Sequence, residues 1–212
     1  MPKVFFDVAS SLDNFIAPEG MDLEHWSDPN YKQWGAQWGK LVSWLFAQKF
    51  FRDNLKLGGE GETGIDNQLL QETFSRTGVS IMGKRMFEAG EISWPEDAPF
   101  HTPVYVLTKQ KRDPWERAGG TTFYFVNDGI ESALSQARKA AGNRDVRIAG
   151  GANVIQQYLN AGLIDEFTVH YSPVFFDRGT PLFSGIRRDL NTKIKKSIPS
   201  SHVTHVTYEV SK

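Results

Sequence analysis

The sequence predicts an α/β fold with a mostly parallel central sheet, helices on both faces and an antiparallel hairpin at the C-terminal edge. Between residues 79 and 171, apolar runs of strand length alternate with segments of helical periodicity. The last part of the chain shows strand patterns alone, and residues 190–197 and 203–210 alternate well enough to pair as a hairpin. No internal repeat or linker interrupts the 212 residues, so we expect one domain, residues 1–212, with an extended helical segment at about 20–77.

The sequence is organised around residues 145–165, DVRIAGGANVIQQYLNAGLID. A short strand pattern precedes Gly150 and Gly151, and apolar residues at helical spacing follow over 152–159, closed by Gly162 as a left-handed cap. The two glycines let another molecule approach the backbone, and the unpaired N–H groups of the first helical turn suit a phosphate. A plain tight corner between strand and helix is the alternative interpretation.

The first third of the chain predicts a strand, a loop and a long helix. Residues 4–9 form the strand and 10–20 the loop. Asp28 and Pro29 predict a helix N-terminus, and apolar spacing continues from there to Phe50. The helix carries a wide aromatic stripe, typical of a core or a subunit contact, that includes Trp34, Trp38, Leu41 and Leu45.

The remaining elements follow in order. Helices are predicted at 66–77 and 128–141, and strands at 79–82, 103–107, 121–126 and 166–171. Residues 89–101 read as irregular, and 173–176 as a continuation of the sheet. The glycine-rich loop, GGEGETG at residues 58–64, matches the spacing of a dinucleotide fingerprint, but a helical pattern rather than a strand precedes it. We therefore interpret that segment as a mobile loop.

Composition excludes several functions. A net charge of −1 gives no general attraction to nucleic acid, and no apolar run reaches the length of a membrane helix. The absence of cysteine excludes disulfides and thiolate metal sites, and the five histidines show no metal-like spacing. With no signal peptide visible at the N-terminus, we expect a cytoplasmic protein with no metal, no nucleic-acid partner and no membrane partner.

Chemistry is expected at the carboxyl ends of the strands, where α/β sheets bind ligands. One strand ends in Gly83, Lys84 and Arg85, and the next in Thr108 and Lys109, beside the diglycine corner. The first strand ends in small residues that a flat ring could approach. Two basic corners beside a helix N-terminus favour a dinucleotide that carries an extra phosphate, NADPH rather than NADH.

These motifs resemble those of the dihydrofolate reductase superfamily, and within it the RibD C-terminal branch of riboflavin-pathway reductases. Residues 9–17, ASSLDNFIA, are similar to the family's first loop, and residues 79–87, 104–109 and 150–165 to its later corners. The resemblance implies hydride transfer from NADPH to a C=N or C=O group of a small, pterin-like or pyrimidine-like substrate. It also implies a homodimer. The cofactor-binding residues implied are Ala9, Ile16, Gly83, Lys84, Arg85, Thr108, Lys109, Gly150, Gly151, Ala152, Asn153 and Val154.

The sequence departs from the family pattern in three places, and three functions stay open. Asn14 stands where the family often has glycine, and Ala149 where riboflavin-pathway reductases typically carry glutamate. The sequence also shows no clear counterpart of the buried helix carboxylate that helps protonate the pterin in true dihydrofolate reductases; Asp28 lies in the corresponding segment, where an N-cap role is favoured. The chain could be a reductase of another substrate, the 5-amino-6-(5-phosphoribosylamino)uracil reductase itself, or a non-catalytic dimeric nucleotide-binding module. Asp13 is the candidate proton donor, with a turn-forming role as its alternative.

Overall fold

The computed structural model describes residues 2–21 and 31–211, with the backbone alone described at 31–33. The predicted helix N-terminus at Asp28 and Pro29 lies outside the described residues. The elements, in chain order, are β1 (Val4–Ser10), β2 (Phe15–Pro18), α1 (Tyr31–Ala47), α2 (Lys49–Asn54), α3 (Ile65–Arg76), β3 (Thr77–Gly83), α4 (Lys84–Ser93), β4 (Val104–Leu107), β5 (Trp115–Glu116), β6 (Thr122–Val126), α5 (Ile130–Ala141), β7 (Asp145–Gly150), α6 (Ala152–Asn160), β8 (Glu166–Tyr171), β9 (Gly179–Pro181), β10 (Asn191–Pro199) and β11 (Thr204–Ser211).

Within residues 2–21 and 31–211, nine strands form one sheet in the order β10-β11-β8-β1-β7-β3-β4-β6-β5. The six strands from β8 to β6 in that order are parallel to one another. The C-terminal hairpin β10–β11 joins antiparallel to β8 and forms one edge, as the sequence predicted. Strands β2 and β9 form a separate antiparallel pair.

Helices cover both faces of the sheet, because alternate residues of each central strand point to opposite sides. On one face, Phe6 and Ile148 belong to a core that also contains residues of α5 and α6. On the other face, Met82 packs against Phe87 of α4, and the guanidinium of Arg147 lies 5.2 Å from the ring of Phe74 in α3. The two-sided α/β architecture predicted from the sequence is confirmed.

The long first helix ends earlier than predicted, because a glycine-rich loop pairs with its backbone. Gln48 is extended, and the N–H of Lys49 donates to the carbonyl of Glu62. A Cβ at Gly61 would lie 2.5 Å from the Cα of Lys49, so only glycine permits this approach. The loop at 58–64 therefore has a packing role that the sequence analysis missed.

Two further segments differ from prediction. Helix α4 continues to Ser93, so the first part of the supposedly irregular segment 89–101 is helical. Residues 173–176 are not a strand, because the carboxylate of Asp13 accepts the N–H groups of Phe176 and Asp177, at 3.0 and 2.7 Å. These bonds replace the strand pairing that the apolar pattern suggested.

The aromatic stripe of α1 faces inward. Trp34 is 5% exposed and Leu41 is fully buried within the single chain, whereas Trp38 and Leu45 are half-buried. Of the two interpretations of this stripe, a core or a subunit contact, its burial within the single chain favours the core. The homodimer stays a prediction that rests on family resemblance.

Candidate active site

A cleft of about 1720 Å³ opens at the carboxyl ends of the parallel strands. It lies where ligands bind in open α/β sheets. The structure brings all twelve predicted cofactor residues to the lining of this cleft, although they come from four separate parts of the chain: Ala9, Ile16, Gly83, Lys84, Arg85, Thr108, Lys109, Gly150, Gly151, Ala152, Asn153 and Val154.

The diglycine corner joins β7 to α6. Gly150 has φ +128°, in a region that favours glycine, and its peptide bond to Gly151 is cis. Gly151 caps α6, and its carbonyl accepts the N–H groups of Val154 and Ile155, at 3.0 and 3.1 Å. A Cβ built on Gly151 would meet no atom within 4 Å, so the space beside the first turn of α6 is open. The N–H groups of Ala152 and Asn153, which begin that turn, have no acceptor among the described residues and suit an anion.

The two basic corners lie along the same cleft. Gly83 caps α4, and a Cβ there would lie 3.0 Å from Cγ2 of Val154, so the missing side chain lets β3 and α6 approach closely. Lys84 begins α4 with its Nζ 3.2 Å from Glu88, one turn further along. Lys109 is exposed, directly after Thr108, whose Oγ1 accepts the N–H of Gln110 at 3.1 Å. This side of the cleft is therefore positively charged.

The loop between β1 and β2 is shaped by side-chain hydrogen bonds. Ser11 Oγ accepts the N–H of Phe15 at 2.9 Å and donates to the carboxylate of Asp13 at 2.5 Å. Asn14 has φ +67°, which agrees with its place in a family position that often holds glycine. The loop directs Ile16 toward the cleft that Ala9 also lines.

Asp13 lies outside the residues that line the cleft. Burial raises its pKa, but the hydrogen bonds from Ser11 and from the backbone of Asp177 and Phe176 outweigh it, so the pKa is lowered. A carboxylate held ionised by these donors is poorly suited to donate a proton. The geometry favours the turn-forming alternative for this residue.

The other half of the cleft is apolar and aromatic. Its wall comes from α1 and α3, and the floor is the sheet face beneath them. The walls include Trp34, Trp38, Leu41, Trp44, Leu70 and Phe74.

Three polar side chains on this floor escaped the sequence analysis. Asp7, Arg147 and His170 come from β1, β7 and β8, and all three line the cleft. Arg147 donates to both carboxylate oxygens of Asp7, at 2.6 and 2.9 Å. Burial raises the pKa of Asp7, but the charge of Arg147 and the neighbouring His170 lower it well below the usual range. A charged residue within an apolar strand run, as in VFFDVA, was the signal available in the sequence.

The described residues contain neither a candidate metal centre nor a candidate membrane-spanning helix. Among the described residues, no group of three or more His, Asp or Glu side chains could hold a metal ion. None of the described helices is long and apolar enough to cross a membrane.

Comparison with known proteins supports the fold defined above. A putative riboflavin biosynthesis protein from Shewanella sp. PV-4 superposes with a TM-score of 0.66 at 21% identity, covering 99% of both chains. Dihydrofolate reductase from Enterococcus faecalis, solved with NADP(H) and RAB-propyl, gives a TM-score of 0.56 at 14% identity, over 99% of this chain and 97% of that one. The fold is dihydrofolate reductase-like.

The family follows from the sequence match. Residues 2–206 match the model of the RibD C-terminal domain, so the chain belongs to that family. RibD of Acinetobacter baumannii is similar over all of this chain and 59% of its own length, with a TM-score of 0.58 at 16% identity. The uncharacterized protein YyaP of Bacillus subtilis is 34% identical over 85 residues, which is 40% of this chain; the match spans 45% of the length of YyaP.

Proposed function

We propose that this protein is an NADPH-dependent reductase that transfers a hydride to a C=N or C=O group of a small substrate. One observation carries the proposal: three separate strand ends supply a diglycine helix start and two basic corners to a single cleft. The coarser conclusion, an oxidoreductase, agrees with the reductases among its structural neighbours.

The residues present fit a phosphorylated dinucleotide. Open space at Gly151 and the N–H groups of Ala152 and Asn153 at the start of α6 suit the diphosphate. Lys84, Arg85 and Lys109, with the hydroxyl of Thr108, would hold the additional phosphate of NADPH. Ala9 and Ile16 would flank the nicotinamide, which supplies the hydride when bound, while the protein binds and orients.

The substrate half favours a flat, largely apolar molecule. Of the lysines and arginines among the described residues that line the cleft, Lys84, Arg85 and Lys109 lie at the proposed cofactor corners. The fourth, Arg147, is already paired with Asp7. A phosphoribosyl substrate such as the riboflavin-pathway intermediate would need an anion site that these residues do not offer, so we propose a substrate without phosphate.

The test begins with cofactor binding. Titrating the protein with NADPH and with NADH, followed by cofactor fluorescence, is expected to show tighter binding of NADPH. NADPH oxidation is then measured with dihydrofolate, the riboflavin-pathway intermediate, an aromatic ketone and the cyclic aromatic imine dihydroisoquinoline. Activity with the imine or ketone alone supports the proposal. Absence of NADPH binding would overturn it in favour of another ligand, and selective use of the riboflavin-pathway intermediate would assign the established activity of that pathway.

A further inference from the structure

A row of buried polar side chains crosses the sheet under α1 and α3. It runs from Arg147 and Asp7, which line the cleft, through His170 and His205 to Asp66 of α3. Nε2 of His170 lies 3.8 Å from Oδ2 of Asp7, and the Nδ1 atoms of the two histidines are 2.6 Å apart. Nε2 of His205 is 2.8 Å from Oδ1 of Asp66. The proposed cofactor residues include none of these five side chains.

Hydrogen-bond donors and acceptors fix where the protons of this row lie. The carboxylate of Asp66 accepts, so Nε2 of His205 carries a hydrogen. Burial and then the proximity of His170 lower the pKa of His205, which keeps that ring neutral and leaves its Nδ1 as an acceptor. The short bond between the two Nδ1 atoms therefore requires that His170 donates.

The second nitrogen of His170 is the atom left for chemistry. Its Nε2 is buried and has no hydrogen-bond partner among the described residues. The carboxylate of Asp7, at 3.8 Å, is too far for a hydrogen bond but close enough for its charge to stabilise a proton on Nε2. Because Arg147 holds Asp7 ionised, His170 rather than Asp7 is the group of this pair that can deliver a proton.

His170 also lies beside the proposed hydride-transfer position. In the register of β1 and β8, His170 is the direct partner of Ala9. Asp7 and Ala9 are two positions apart on β1, so their side chains face the same side of the sheet, about 6–7 Å apart along the strand. If a nicotinamide lies next to Ala9, a substrate stacked on that ring would therefore lie close to His170.

We propose, on the basis of the proposed function, that His170 is the proton donor of the reduction. The carbon of the substrate's C=N or C=O bond accepts a hydride from the dihydronicotinamide, the π electrons move to nitrogen or oxygen, and that atom takes the proton from Nε2 of His170. The products are an amine or alcohol and the oxidised nicotinamide, and His170 regains a proton from water. Asp7 and His205 are positioning residues.

The described elements packed against His170 place charged or aromatic side chains next to its ring. Asp7 of β1, with Arg147 behind it, supplies negative charge at Nε2, and His205 of β11 holds Nδ1. Asp66 of α3 reaches His170 only through His205. From α1, the uncharged ring of Trp44 covers His170 at 4.8 Å and His205 at 5.3 Å between centroids.

Nuclear magnetic resonance tests the proton assignment without a substrate. Long-range proton–nitrogen spectra of histidine-labelled protein, assigned with His170→Asn, are expected to show a hydrogen on Nδ1 of His170 and none on Nδ1 of His205. A hydrogen on Nδ1 of His205 and none on Nδ1 of His170 would overturn the proposal.

Kinetics test the catalytic role, with dihydroisoquinoline as the probe. Above the imine's own pKa the neutral imine needs an acid from the protein, so His170→Asn should slow its reduction by about 10²- to 10⁴-fold. Below that pKa the imine brings its own proton, and the loss should shrink. His202→Asn, which alters a histidine bound to the exposed Glu62, is the matched control.

The outcomes separate this proposal from the function on which it rests. If His170→Asn slowed imine reduction equally above and below the imine's pKa, His170 would donate no proton. Rates equal to those of His202→Asn would show the same. NADPH affinity should be the same in His170→Asn and in the unmodified protein. If NADPH does not bind either protein, the proposed function fails, while the spectra still decide the proton assignment.

Discussion

Arg147 donates two hydrogen bonds to the carboxylate of Asp7, from a neighbouring strand, in the floor of the cleft. The Arg147 and Asp7 side chains are 15% and 7% exposed. Asp7→Ala should therefore leave a buried, unpaired guanidinium and reduce the free energy of unfolding by about 3–5 kcal/mol. Urea denaturation measures this loss.

The double variant Asp7→Ala, Arg147→Met supplies the control for that prediction. Replacing the unpaired guanidinium of Arg147 as well should restore part of the lost free energy of unfolding, because both partners of the buried pair are then absent. Losses that simply add would show that the pair does not act as a unit.

Gly151→Val should weaken NADPH binding by at least about tenfold, because the new side chain would occupy the space beside the first turn of α6. Gly64→Val is the matched control. Both glycines cap a helix with extended backbone, and neither would bring a Cβ within 4 Å of another atom. Fluorescence titration measures affinity, and thermal unfolding confirms that both variants fold. Equal affinities would place the phosphates elsewhere.

Gly61→Val cannot serve as that control, although the glycine-rich loop suggests it. The side chain would collide with the backbone of Lys49, so a loss of binding in this variant would report unfolding rather than contact with the ligand.

Lys109→Gln should lower the affinity for NADPH by about tenfold and leave NADH binding unchanged, since the extra phosphate is the feature that separates the two cofactors. Lys111→Gln, an exposed neighbour that does not line the cleft, is the comparison. A parallel loss for both cofactors would mean that Lys109 contacts a part they share.

Glu166 should make the fold sensitive to acid. Burial raises its pKa, but hydrogen bonds from Lys195, Lys3 and Arg76 lower it to about 2. Because the folded-state pKa is the lower one, the stabilisation is present above the unfolded pKa of about 4.5 and is lost as pH falls toward 2.

Replacing this carboxylate tests the effect. The unfolding free energy of Glu166→Gln should fall less than that of the unmodified protein between neutral and acidic pH. The difference between the two decreases should be on the order of 2–3 kcal/mol. Glu131→Gln, on the exposed first turn of α5, should keep the full drop. The same pH dependence in both variants would show that another group governs acid sensitivity.

The homodimer predicted from family resemblance is tested by light scattering at micromolar concentration. A mass near twice 23.9 kDa is expected, and a mass near 23.9 kDa would reject the prediction.

The sequence predicts the corners of the cleft better than its floor. Gly83, Thr108 and Gly150 follow apolar strand runs, so topology alone brings them to one edge of the sheet. Asp7 and Arg147, by contrast, lie 140 positions apart and meet because β1 and β7 are neighbours. The strand order that creates such a pair is a long-range property that no local pattern records.

The end of α1 could not be predicted for a related reason. Helical spacing continues past Gln48, yet the chain breaks there because a distant loop offers its backbone to Lys49. Likewise, residues 173–176 have the composition of a strand, but the N–H of Phe176 at the end of the segment, and that of Asp177 after it, donate to the carboxylate of Asp13. In both places tertiary contacts override local propensity.

The two halves of the cleft come from different stretches of the chain. Except for Ala9 and Ile16, the proposed cofactor residues lie between Gly83 and Val154. The apolar wall is built by helices between residues 31 and 76. Under the proposed function, exchanging that helical stretch between relatives would change which substrate fits the cleft and leave the proposed cofactor corners unchanged. The proposed choice of substrate would then be encoded largely by one contiguous portion of the gene.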